Sequence, residues 1–551
     1  MKVHESKSKT SPATSMQLIM HASRKLCLFF LFLLMLVKSV LCKEAEMQVI
    51  TEELQPRTDL LRPEQIHISF GKKANDIVIV WATKANDISI VEYHTENKPK
   101  TTQERGETIR LMKDNEDGAQ YLHRVEIRDL TPGIKYFYNV RGENDDTLSD
   151  QYSFTMPAVQ AGSTQTFMVY GDMGTLTKNV KFLVQETLNE KYQAVFHIGD
   201  IAYDLNRARG QIGDKFLNLI QNMAARTPYM TCPGDHERFS NFVHYRYRFS
   251  MPTLPWPMPE DRLWYSLDIG PIHFVIYNTE VFFSSDDFES QLKWLQNDLA
   301  AANARRSAQP WIIAMGHRPM YCSVSDLKED CTRERSLVRK HLEDLFYTQG
   351  VDLIISGHQH YYERTWPTYK SHALSYNYKE PAGPVHVTLG SLGATYLQEY
   401  STKARGHWSA FIIDDGHKEL FGRLKIYNAT HLYWEVLDSS DNRLVDKIWI
   451  IQSFHRPFNL TRVFIPNPLG HNGEQWIQET DNDGSFDLDW FFGGSHYGDD
   501  YETRLTVLLF VFIFLIIFLV FRKKILNVVR LCCFKEEPCK KLNLPQVNGK
   551  V

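Results

Sequence analysis

Five short apolar runs in this chain each lead into a residue able to bind a metal. Thr166–Tyr170 precedes Gly171-Asp172-Met173-Gly174, and Ala194–Ile198 precedes Gly199-Asp200-Ile201-Ala202-Tyr203. Pro228–Pro233 precedes Gly234-Asp235-His236-Glu237, Trp311–Met315 precedes Gly316-His317, and Asp352–Ser356 precedes Gly357-His358-Gln359-His360. Runs this long and this apolar read as strands buried on both faces. In open α/β sheets, ligands bind beyond the carboxyl ends of such strands. The sequence therefore aims three Asp, one Tyr and at least three His at one crevice, donors enough for two metal ions. A single Gly-Asp is ordinarily a tight turn, and a single His-x-His a surface pair. Five such signals in succession, each after a buried strand, point to a metal site.

Buried strands need covering elements. From Ser163 to Gln452 the pattern runs strand, turn, amphipathic helix, with helices expected over Lys178–Tyr192, Ile212–Ala225, Phe288–Arg305 and Thr332–Tyr347. Phe182, Leu183, Thr187 and Leu188, and Leu292, Leu295, Leu299 and Ala300, recur at helical spacing and are expected in the core. Strand-like runs at Pro384–Leu389, Phe421–Tyr427, Leu432–Val436 and Val445–Ile451 would complete sheets packed face to face. Residues 60–157 differ: alternating runs such as Asp76–Trp81, Ile88–Tyr93 and Tyr121–Ile127, split by polar turns, predict an antiparallel sandwich. Within it, Leu130-Thr131-Pro132-Gly133-Ile134-Lys135-Tyr136 resembles the tyrosine corner of fibronectin III-like domains.

The chain has 551 residues, room for two or three domains, and a net charge of −4 with no basic tract suited to nucleic acid. Leu26–Val37, after Arg24-Lys25, is too short to span a bilayer and reads as the core of a signal peptide covering residues 1–42. Leu505–Phe521 is uncharged, with basic residues after it and acidic ones before. It reads as a single C-terminal transmembrane helix with a cytoplasmic tail, 522–551, and a lumenal or extracellular bulk, a type I topology in the secretory pathway. Residues 453–504, polar and rich in Gly and Asp, read as a stalk. Of eight cysteines, Cys232, Cys322 and Cys331 remain in the expected mature ectodomain; Cys322 and Cys331 flank a polar loop and are expected to pair, while Cys232 sits in a buried strand. Asn428 and Asn459 head glycosylation sequons.

Together the five motifs, G-D-x-G, G-D-x-x-Y, G-N-H-E, G-H-x-P and G-H-x-H, resemble those of the metallophosphoesterases and, through Tyr203, the purple acid phosphatases, closest to the animal branch of the two-domain, plant-like form. The resemblance covers about Leu60 to Gln452 and implies a fibronectin III-like N-terminal sandwich over 60–157. After it comes an α/β metallophosphoesterase domain over 163–452, two packed sheets flanked by helices. Carried over, it implies that Asp172, Tyr203 and His360 hold Fe(III), that His317, His358 and Asp235 hold a divalent ion (Fe, Zn or Mn), and that Asp200 bridges them. Hard oxygens suit the ferric ion and imidazoles the softer one. The implied activity is acid phosphatase, hydrolysis of a small phosphomonoester or a phosphoprotein by attack of metal-bound hydroxide, with His236 as catalytic acid.

The chain departs from the family at two places. Asp235 stands where the family has Asn, which lowers the charge of ligands plus metals from about +2 to about +1 and predicts weaker phosphate binding and a less acidic water. After the G-H-x-P motif, Met320-Tyr321-Cys322-Ser323 carries none of the further histidines of the plant enzymes, so the acid role rests on His236. Two alternatives follow: an attenuated, membrane-anchored binding or adhesion protein, or a phosphodiesterase or nucleotide hydrolase on the same metals. His197 is expected as a core histidine, Glu363 and Arg364 as a structural pair, and Arg207 and Arg209 as solvated. Phe239–Arg262 and Trp366–Glu380 are expected as pocket-lining loops.

Overall fold

The computed structural model describes residues 62–458, apart from 112–119, 145–147, 159–162, 190–191, 285–287, 324–330, 332–335, 394–404 and 414–417. The expected leader 1–42, membrane helix 505–521, tail 522–551, most of the stalk 453–504 and the Asn459 sequon lie outside these residues. Among the described residues no helix is long and apolar enough to cross a membrane.

The N-terminal sandwich pairs two four-stranded antiparallel sheets. One is ordered Glu64–Phe70, Ile77–Thr83, Gln120–Ile127, Glu107–Leu111; the other Lys98–Arg105, Ser89–Thr95, Lys135–Gly142, Tyr152–Thr155. Alternate residues such as Val125, Ile127, Tyr138 and Val140 fill the space between them. The tyrosine corner is present: Thr131 N–H donates to Tyr136 Oη at 2.9 Å. The sandwich is keyed to the following domain by buried polar contacts. Tyr138 Oη donates to Ala225 O (2.7 Å), Ser69 Oγ donates to Ser250 O (2.6 Å), and His67 Nε2 lies 2.9 Å from Arg248 O.

The second domain stacks a six-stranded sheet on a seven-stranded one. The first is ordered Tyr229–Cys232, Ala194–Ile198, Gln165–Tyr170, Leu420–Ile426, His431–Asp438, Leu444–Ile451. The second is ordered Tyr265–Ile269, Ile272–Ile276, Trp311–Met315, Leu353–Ser356, Val385–Leu389, Tyr362–Thr365, Ser409–Ile413. Phe167 and Phe196 of one sheet meet Phe274 of the other, with ring centroids 5.0 and 4.7 Å apart. The five motif strands are all buried, as their composition requires, but three belong to the first sheet and two to the second. The ligand-bearing turns therefore converge from two sheets, not along one sheet edge.

Helices form over Val180–Asn189, Gln211–Ala224, Phe288–Asn303 and Leu337–Thr348. The core stripes are narrower than the periodicity implied. Leu183, Thr187, Leu295 and Leu299 are buried, while Leu188 and Ala300 face outward. Each of the latter lies one position past a buried residue, about 100° around the helix. Phe239–Arg248, expected as a loop, is helical apart from a left-handed kink at Ser240–Phe242, and is tied down by buried Tyr245 and Arg248. The expected loop Trp366–Glu380 contains a small hairpin pairing Thr368–Tyr369 with His372–Ala373. Cys322 and Cys331 are disulfide-bonded, and Cys232 is free and buried.

Candidate metal centre

Three of the motif glycines, Gly199, Gly234 and Gly357, make room for a candidate donor. Gly199 has φ +72°, and a Cβ there would stand 2.4 Å from His317 Nδ1; one on Gly234 would stand 2.3 Å from Asp200 Oδ1. Four donor residues, Asp172, Asp200, Tyr203 and His358, themselves hold positive φ (60°, 50°, 50° and 67°), a strain typical of functional sites.

The seven candidate donors come together in two adjoining groups. Tyr203 Oη lies 3.1 Å from Asp172 Oδ1 and 2.9 Å from His360 Nε2, and His360 Nε2 lies 3.5 Å from Asp172 Oδ1. Asp200, Asp235, His317 and His358 each offer one ligand atom, all within 4.8 Å of one another. In that group His317 Nε2 lies 3.2 Å from Asp200 Oδ1 and 3.1 Å from Asp235 Oδ1, and His358 Nδ1 lies 3.1 Å from Asp235 Oδ1. Asp235 thus lies within the same group as Asp200, His317 and His358.

Backbone and buried side chains fix these groups. His317 Nδ1 donates to Ile198 O at 3.0 Å, which turns Nε2 toward the site. Asp172 Oδ2 accepts His358 N–H (2.9 Å), turning Oδ1 inward. The buried Glu237 carboxylate accepts from Asp200 N, Ile201 N and Gly234 N, all at 2.9 Å, and so ties the second and third motif turns together. Burial, with Asp200 close by, pushes Glu237 up to about 8.

The donor set fits a pair of cations. Burial and then the Asp172 carboxylate push the Tyr203 phenol well above its ordinary value, so ionising it there needs a cation. Burial disfavours charge on His317, but Asp200 and Asp235 outweigh it and hold the imidazole well above its usual range. Burial likewise opposes ionisation of Asp235, yet His317, His358 and Arg318 hold its carboxyl well below the usual range. Three carboxylates, a phenol and three imidazoles match hard and borderline metal ions.

His236 stands at the rim, its ring centroid 4.6 Å from that of Tyr203 and its Nδ1 2.7 Å from Asp204 Oδ1. Burial opposes its charge, but Asp204 and then Asp200 and Asp235 push it up to about 9. Asp204 was missed in the sequence, although it directly follows Tyr203 of the second motif. Arg318 was also missed, although it is the variable residue of the G-H-x-P motif. It donates from Nε to Glu280 Oε1 (2.8 Å), and its Nη1 lies 2.8 Å from His358 Nε2.

Other expectations resolve simply. His197 is a core histidine, its Nδ1 2.7 Å from Tyr229 Oη, and Arg207 and Arg209 are exposed. Glu363 and Arg364 do not pair. As strand neighbours they point to opposite faces: Glu363 accepts from Ser323 N (2.8 Å), while Arg364 Nε bonds Asp446 Oδ2 (2.7 Å).

Three family models match the chain: the purple acid phosphatase N-terminal domain over residues 63–156, the calcineurin-like phosphoesterase over 165–362, and the iron/zinc purple acid phosphatase-like protein C over 383–447. The chain is 38% identical over 410 residues to acid phosphatase type 7 of Mus musculus, covering 71% of this chain and 91% of that protein. To acid phosphatase type 7 of Homo sapiens it is 38% identical over 414 residues, with the same shares covered. Among solved structures it is similar to purple acid phosphatase PPD1 from yellow lupin seeds, with TM-score 0.62 and 25% identity over 72% of this chain and 76% of that one.

Proposed function

The chain belongs to the purple acid phosphatase family and is a metal-dependent phosphatase, and on that premise we propose how its residues divide the work. Asp172, Tyr203 and His360 would hold Fe(III), Asp235, His317 and His358 would hold a divalent ion (Fe, Zn or Mn), and Asp200 would serve both. The observation that supports this reading is the convergence of these seven side chains in two groups, Asp172–Tyr203–His360 and Asp200–Asp235–His317–His358, joined by the His358 N–H bond to Asp172. When bound, such a pair neutralises phosphate oxygens and lowers the pKa of coordinated water.

The chain's own residues supply the rest. Substrate is a phosphomonoester, small or carried on a protein. A water oxygen forms the new P–O bond, the ester P–O bond breaks, and His236 delivers a proton to the departing alkoxide. Asp204 fixes the tautomer by accepting at Nδ1, so Nε2 carries the mobile proton. The hydrogen bond to Asp204 favours the protonated imidazole, as a general acid needs. Glu237 keeps the two donor turns in register.

We further propose that the domain boundaries fall at 60–157 and 163–452, that residues 1–42 direct secretion, that residues 453–504 form a stalk, and that residues 505–521 anchor the chain as a type I membrane protein. The Cys322–Cys331 disulfide supports passage through an oxidising compartment. The test is an acid-pH phosphomonoester assay on secreted protein, with Asp200→Ala as control. Activity in the wild type and its loss in the variant are expected; equal activity in both would reject the assignment.

A further inference from the structure

The outer face of the six-stranded sheet carries an aromatic ladder that the phosphatase reaction does not use. Tyr433 and Trp449 face each other across neighbouring strands with ring centroids 4.8 Å apart, and Tyr427 lies 5.0 Å from the same indole. His431 adds a ring 6.1 Å from Trp449. Tyr427 is 38% exposed and Trp449 42%, in a sheet whose other face holds buried Leu432, Trp434 and Ile450. Exposed aromatics clustered this way mark a surface that something covers.

The turn at the end of this ladder is Tyr427-Asn428-Ala429-Thr430-His431, with Asn428 exposed. Asn428 Oδ1 accepts from Thr430 N (2.8 Å), Thr430 Oγ1 (3.0 Å) and His431 N (2.9 Å). Its carbonyl accepts Trp311 Nε1–H at 2.9 Å, and His455 Nε2 lies 2.7 Å from Ala429 O. Both the side-chain oxygen and the backbone of the turn are thus engaged on the protein side, which leaves the amide nitrogen for modification.

We propose that Asn428 carries an N-linked glycan whose first sugars lie on the Tyr427–Trp449–Tyr433 ladder. A pyranose ring offers an apolar face of C–H groups and a polar edge, which suits an aromatic surface bordered by water. The occupant is attached one residue from Tyr427, so its local concentration over the ladder is high without any separate binding partner. The ladder-bound glycan covers apolar surface and braces the hairpin turn. This inference rests on the secretory reading given above.

The test expresses the full chain in a secreting eukaryotic cell as wild type, Asn428→Gln, Trp449→Ala and the double variant. Peptide mass spectrometry reads the processed N-terminus and the occupancy of Asn428. Melting is followed with the glycan intact, trimmed enzymatically to one N-acetylglucosamine, and removed. The expected result is an occupied Asn428 and a fall in melting temperature on full removal, on the order of 2–4 °C. Trimming to one sugar should keep most of the effect, and Trp449→Ala should abolish the dependence on glycan. Tyr427→Ala gives a second variant should Trp449→Ala fold poorly. A cleaved leader with bare Asn428, or a glycan effect unchanged by Trp449→Ala and Tyr427→Ala, would overturn the proposal. An uncleaved leader without glycan would overturn the secretory reading and this inference together.

Discussion

Arg318 Nη2 stands 3.2 Å from Asp235 Oδ1, so the carboxylate expected to weaken the site is met by a guanidinium. The same side chain is held by the fully buried Glu280, whose other oxygen lies 3.9 Å from Arg238 Nη1. Two carboxylates are thereby balanced by two guanidinia, and the fourth anion of the donor set is not left unopposed. The charge argument from sequence alone overlooked this partner.

Asp235 and Arg318 should therefore be coupled. Asp235→Asn is expected to raise acid phosphatase activity, by several-fold to about tenfold for a one-unit change in the pKa of the nucleophilic water. Arg318→Gln should raise the KM for phosphomonoester and slow the loss of metal to a chelator, because the site becomes more negative. In the Asp235→Asn background the Arg318→Gln effects should shrink, with a coupling on the order of 0.5 kcal/mol or more. Strictly additive kinetics and unchanged metal release would separate the two residues.

The Asp204–His236 contact predicts a leaving-group dependence. A general acid matters most when the departing oxygen is strongly basic. Asp204→Asn should cut kcat/KM for an alkyl phosphate by roughly tenfold or more and leave an aryl phosphate with an acidic phenol much less affected. Equal losses on both substrates would mean that Asp204 serves the fold, not proton delivery.

Stability should carry its own pH signature, away from the metal centre. His273 is buried between two carboxylates, with Nδ1 2.6 Å from Asp268 and Nε2 2.8 Å from Asp298. Burial opposes its charge, but the Asp268 and Asp298 bonds raise it to about 8. Its contribution is fully present below about pH 6.5, the unfolded value, and is lost as pH rises through about 8. The amount is about 2 kcal/mol. The melting temperature should fall between pH 6 and pH 9, and His273→Gln should flatten that fall. A wild-type profile no steeper than the variant's would refute the assignment.

Much of the candidate site was legible because its candidate donors are announced locally: a buried strand, a glycine, then an Asp or a His. All seven donors meet in space although Asp172 and His358 lie 186 positions apart. The sandwich was legible from alternation, and its tyrosine corner from one tyrosine at a fixed offset from Pro-Gly. What escaped has no local signature. Arg318 reaches Glu280 across 38 positions, and Glu237 braces Asp200 across 37. Only the fold brings such groups together. The Phe239–Arg248 helix escaped because its buried residues mix Tyr, His and Arg, so apolar periodicity is weak. The division of the five strands between two sheets depends on strand pairing, to which a buried apolar run is indifferent.

The account stands or falls on two metal ions per chain. Elemental analysis of the purified, secreted wild-type protein measures this directly, as moles of iron, zinc and manganese per mole of chain. Two ions, one of them iron, are predicted. A stoichiometry of one or none after metal-replete expression would contradict the dinuclear assignment of Asp172, Asp200, Tyr203, Asp235, His317, His358 and His360.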